Sequence, residues 1–124
     1  MTDRSGWSDN EINEAIFEAK GWVKSYQVLG GMTKAYSWLN PNCPNRYFAH
    51  AANCPDYTHS WDLCGELLEE MDCSLTRIGR KWCVSWLIPY TDEYGIEKRK
   101  PLSVLTDTPQ RAICEAWLAW KEQG

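Results

Sequence analysis

Between residues 81 and 90, Trp82, Val84, Trp86 and Ile88 alternate with Lys81, Cys83, Ser85 and Pro89. Successive strand side chains point to opposite faces, so this run predicts a β-strand with one strongly apolar face that must lie on a core. Its neighbours make it the middle of a meander. Residues 73–78 lead through Gly79-Arg80 into it, and a turn over 92–95 leads out to a returning strand over 97–105. Pro101 in that last strand has no N–H for a ladder, which places it at a sheet edge or a bulge.

The rest of the chain punctuates itself with helix and turn chemistry. Ser8 and Glu11 form a capping box before Ile12, Ala15, Ile16 and Ala19, and Gly21 suits a left-handed terminal position, so a helix is expected over 9–20. Residues 22–28 and 32–39 read as a hairpin about Gly30-Gly31. Thr58 or Ser60 opens a second helix with Trp61, Cys64, Leu67, Leu68 and Met71 on its inner face. Thr108 as N-cap and Pro109 in the first turn open the last helix, over 109–122, with Ala112, Ile113, Ala116, Trp117 and Trp120 as its buried stripe.

The element order is thus α-β-β-α-β-β-β-α. It predicts an α+β fold: one antiparallel sheet of about five strands with helices packed on its faces. At 124 residues the chain is expected to be one domain, 1–124, with its structured core at 9–122. Hydrophobic residues at 44% and charged residues at 24% exclude a disordered chain. No apolar run approaches the roughly 18 residues of a membrane helix, and the N-terminus lacks a signal-peptide core. A soluble protein of the cytoplasm is expected. A net charge of −4 argues against general nucleic-acid binding.

Four places carry a family resemblance: the helix around Ile12-Asn13-Glu14 ending at Gly21-Trp22; Pro55-Asp56-Tyr57-Thr58 before a Trp61-containing helix; the aromatic strand from Trp82 to Trp86; and Thr108-Pro109-Gln110-Arg111-Ala112-Ile113-Cys114. In order and spacing the chain resembles the phage ABA sandwich domain family, small proteins of bacteriophages and prophages. The resemblance spans residues 9–120 and implies a phage accessory product acting in a host bacterial cell. It brings no catalytic residues with it.

Three constellations could carry function. Cys43, His50, Cys54 and His59 hold both histidines of the chain within or beside a Pro-rich loop over 40–56. Two thiolates and two imidazoles are a tetrahedral zinc set, although no Cys-x-x-Cys knuckle is present, and a surface loop with free thiols is the simpler reading. The same residues are the only candidates for a Cys/His enzyme. No other cofactor is implied. Cys64, Cys83 and Cys114 fall on regular elements, where cysteine acts as a small apolar filler.

The second constellation is basic and aromatic: Trp82, Trp86 and Tyr94 with Lys98, Arg99 and Lys100, beside Arg80. Stacking plus phosphate contact would suit a nucleotide, whereas lysine and arginine also defend an edge strand. The third follows from eight tryptophans, more than a core of this size buries. Trp7, Trp38 and Trp120, with Glu66, Glu69 and Glu70, are candidates for docking on a protein. The leading expectation is a non-enzymatic protein that binds and modulates a host bacterial protein, such as a nucleic-acid-handling or immune complex, as an inhibitor of the anti-CRISPR kind does. Self-association into a homo-oligomer is compatible with the same features.

Overall fold

The computed structural model describes the backbone of residues 3–29, 33–40, 50, 51 and 53–123, and their side chains except at 25–29, 33–36, 50 and 51. The elements run α1 (Asp9–Ala19), β1 (Val23–Leu29), β2 (Thr33–Leu39), β3 (His50–Ala51), a 3-10 turn (Tyr57–His59), α2 (Trp61–Glu70), β4 (Cys73–Ile78), β5 (Lys81–Thr91), β6 (Glu97–Thr106) and α3 (Pro109–Gln123). The α+β class and the order of the main elements are as the sequence predicts.

Local chemistry sets the ends of the helices. The Ser8 hydroxyl accepts from the Glu11 N–H at 3.1 Å, and the Glu11 carboxylate accepts from the Ser8 N–H at 3.2 Å, completing the capping box. At the other end Gly21 adopts φ +100°. The Gly21 N–H reaches Glu18 O and the Trp22 N–H reaches Phe17 O, the double bond of a Schellman motif. Its apolar contact is present as well: the Phe17 and Trp22 rings stack with centroids 4.6 Å apart. Ser60 caps α2 through Leu63 N–H, and Thr108 caps α3 through Arg111 N–H.

The strands depart from the expected single sheet. They form two antiparallel sheets among the described residues, β1-β2-β3 and β4-β5-β6. The two-residue β3, inside the segment read as an irregular loop, pairs with Trp38 and Leu39. In the second sheet β5 is central. Gly79 (φ +63°) alone takes a left-handed position in the two-residue turn before it, as a type II′ hairpin requires. Pro101 falls on β6, an edge strand, opposite Leu87.

Among the described residues only one face of β4-β5-β6 is covered. On the inner face Val84 lies between Leu75 and Val104, and Trp86 between Cys73 and Leu102. This face packs on α3, which has α1 and α2 on its other side. The outer face carries a row of Ser74, Ser85 and Ser103, with no described helix on it. Helices on both faces were expected; on this face serine, threonine and charged residues separate Ile78, Leu87 and Leu105, which stand exposed and form no continuous apolar stripe for a helix to cover.

Helix α3 is therefore enclosed, with residues 112–119 all buried. Its remaining side is crossed by the N-terminal segment. Arg4 is buried and ion-paired with Glu122 near the end of α3, and Trp7 packs on the core. The structured core thus extends beyond the expected 9–122 to include these residues.

Candidate functional site

Helix α2 presents its acidic side to solvent. Asp62, Glu66 and Glu69, spaced four and three residues apart, share that side, and all three are exposed. None has an ion-pair or hydrogen-bond partner among the described residues. Most other carboxylates do: Glu14 pairs with Lys24, Asp92 with Lys98, Glu122 with Arg4, and Asp9 and Glu115 with Arg111. Trp61 stands at the start of the same helix and is 54% exposed. It was expected on the buried face, but α2 begins at Trp61, and the buried positions Cys64 and Leu67 are set three and six residues on.

Glu70 differs from its neighbours. Its carboxylate accepts the Trp117 indole N–H at 2.7 Å and an ion pair from Lys20 at 3.0 Å. Burial works against the charge, but these two donors outweigh it and hold the carboxyl below its usual range. Glu70 joins three helices and is not free to dock a partner.

The expected tryptophans divide in the same way. Trp38 is fully buried, edge-on to Phe17 at 5.0 Å, and offers no docking surface. Trp7 and Trp120 are half-buried against the core, with Arg4 and Lys121 over their rings. The one strongly exposed indole ring among the described tryptophans is that of Trp61. Helical periodicity cannot distinguish it, because position 61 belongs to the apolar stripe but lies where the stripe has run off the core.

The basic and aromatic constellation is not assembled. Trp86 is buried in the inner face. Trp82 pairs with Arg77 and Thr106, whereas Lys98 and Lys100 pair with Tyr90 and Ile88. Eight residues of β5 separate Trp82 from Tyr90, about 26 Å. Arg80 lies in the turn at the Trp82 end, and Tyr94, 79% exposed, in the loop at the opposite end. Strand alternation also places Arg99 on the other face from Lys98 and Lys100. Lys98 is bound to Asp92 at 3.2 Å and Lys100 sits over Tyr90. On an edge strand these charges and Pro101 resist further strand pairing.

Of the zinc set, Cys43 and the His50 side chain lie outside the described residues. The two members that are described face different partners. The Cys54 thiol donates to Pro55 O at 3.5 Å, and burial, with Glu14, Asp56 and Glu18 nearby, pushes its pKa up to about 12. A thiol so placed is a poor nucleophile at neutral pH. His59 lies between two carboxylates, Asp56 at 3.0 Å and Asp9 at 3.6 Å. Among the described residues no group of three or more His, Cys, Asp or Glu side chains is placed to hold a metal ion.

His59 ties the 3-10 turn to α1 through Asp9, and its pair with Asp56 lies within the turn itself. Asp56 also accepts from Asn13 Nδ2 and Thr58 Oγ1, both at 2.9 Å, while the Asn13 side chain accepts the Thr58 N–H. The hydrogen bond and charge of Asp56, with a smaller effect of Asp9, raise the His59 pKa. A raised folded-state pKa contributes stability that is complete below the unfolded value, about 6.5, and is lost as pH rises through the folded value. The melting-temperature difference between wild type and His59→Ala should be largest at pH 5–6 and shrink towards pH 8. A difference that is flat over this range refutes the tether.

The chain matches no family model, no curated protein and no solved structure. No helix among the described residues is long and apolar enough to cross a membrane.

Proposed function

We propose that this chain is a non-enzymatic binding protein of the phage accessory type, docking through the acidic side of α2 on a basic surface of a host protein and modulating it. The observation that carries this reading is the row Asp62, Glu66, Glu69 beside the exposed Trp61. Like charges at this spacing weaken a helix by roughly 0.2–0.5 kcal/mol per pair, and a carboxylate in the last turn opposes the helix dipole. Glu70 has Lys20 and Trp117 to offset that cost; Glu69 has nothing comparable. An arrangement that works against folding and faces outward is supported by a role in binding. Carboxylates in a row steer towards basic, nucleic-acid-handling surfaces, and an exposed indole adds contact area at low entropy cost.

The test is capture of host proteins from a bacterial lysate on immobilised protein. The triple variant Asp62→Lys, Glu66→Lys, Glu69→Lys should keep the wild-type melting temperature and lose the captured partner. Trp61→Ala should weaken capture by about 2 kcal/mol, roughly 30-fold. Binding should also fall steeply between 50 and 500 mM salt. Undiminished capture by the triple variant would refute the reading.

A further inference from the structure

A second feature lies apart from α2. The N-terminal segment, the 3-10 turn, the start of β5 and the β6–α3 connection line an open cleft of about 610 Å³. Ligand pockets commonly fall between roughly 300 and 1,000 Å³. The geometry points to this cleft as a binding site for a small uncharged ring bearing hydroxyl groups, such as a monosaccharide or the ribose of a nucleoside.

Charge is the first argument. Among the described residues the ionisable groups lining the cleft are Asp9, Asp107 and Glu115 against His59, Lys81 and Arg111, three of each sign. Arg111 is satisfied within the protein by Glu115 at 2.7 Å and Asp9 at 2.8 Å. Lys81 lies 3.6 Å from Asp107 at the exposed rim. A phosphate or a polycation entering here would have to displace an existing pair, whereas an uncharged ligand need not.

The wall chemistry is the second. Trp7 supplies an aromatic wall, and Arg4, stacked over that ring at 5.2 Å, fixes its position. Leu105 adds an apolar patch on the β6 side. Between them Thr108, Gln110 and Asp107 offer donors and acceptors together, which is what hydroxyl groups need. A sugar ring presents C–H bonds to an aromatic face and O–H groups around its rim, so it meets both kinds of wall at once.

The experiment is a two-dimensional amide and indole N–H NMR titration of the whole protein with methyl glucoside, adenosine and adenosine monophosphate. Saturating shifts at Trp7, His59 and Gln110 are expected for methyl glucoside or adenosine, with a dissociation constant of about 1 mM, the order usual for ligands of this size. Saturation by methyl glucoside assigns the site to monosaccharides; saturation by adenosine alone assigns it to nucleosides. Adenosine monophosphate should bind no more tightly than adenosine. Asp107→Ala and Gln110→Ala, both at the rim, should each weaken binding at least fivefold with the rest of the spectrum unchanged. No saturation by 20 mM, tighter binding of the phosphate form, or full affinity in both variants would each overturn the assignment.

Discussion

Arg111→Ala should destabilise the protein by about 3–5 kcal/mol, the usual cost of orphaning a buried charge. Against the 5–15 kcal/mol typical of a domain, that is a large fraction of the total. Its guanidinium donates from Nε to Glu115, from Nη1 to Asp9, and from Nη2 to the carbonyls of Arg4 (3.0 Å) and Trp7 (2.7 Å). Both side chains of the Arg111–Glu115 pair are largely buried, at 14% and 9% exposure. Truncation leaves the Glu115 carboxylate without a counter-charge and releases the N-terminal segment from α3.

Urea denaturation should show a lower midpoint with an unchanged slope. Arg111→Lys should recover less than half of the loss, because an ammonium cannot reproduce four directed bonds. Arg111→Met combined with Glu115→Leu should recover most of it, since the orphaned charge is then removed too. A loss below 1 kcal/mol for Arg111→Ala would show that the N-terminal segment holds α3 by packing alone.

Trp117→Ala should cost a similar amount, about 3–5 kcal/mol, through the cavity left in a fully enclosed site. The ring is also the meeting point of three helices. Lys20, the C-cap of α1, and Lys121 of α3 lie over it at 5.2 and 5.4 Å, and its N–H is bonded to Glu70 of α2. Trp117→Phe separates the two contributions. It keeps most of the packing and removes the donor, for an additional cost of about 1 kcal/mol, because Glu70 is partly exposed and water can replace the indole. Glu70→Gln should therefore cost less in the Trp117→Phe background than in wild type. Equal costs in the two backgrounds would mean that the indole and Glu70 are not coupled.

Both predictions concern residues whose role was only partly legible. Trp117 was placed correctly on the inner stripe of α3 by its spacing from Ile113 and Ala116. Its bond to Glu70 could not be read, and Glu70 was accordingly grouped with Glu66 and Glu69 as a docking residue. Arg111 entered only as part of a helix-start motif. Nothing in a linear pattern tells an arginine that saturates its donors from one that faces water. Trp38, Trp61 and Trp86 make the same point for aromatic residues: composition showed that eight rings exceed a small core, and only packing decided which one is strongly exposed.

What the amino-acid sequence determined by itself was local. Caps at Ser8 and Thr108, the left-handed Gly21, the turn at Gly79-Arg80 and the alternation through β5 all depend on interactions within a few residues or on one-face periodicity. These are physical constraints that a short segment carries with it. The tertiary structure alone decided that the strands split into two sheets, that the Trp82 and Lys98–Lys100 groups stand at opposite ends of β5, and that the N-terminal segment closes over α3. Each depends on which distant surfaces meet, and a pairing between residues a hundred positions apart, such as Arg111 with Asp9, leaves no periodic trace in either segment.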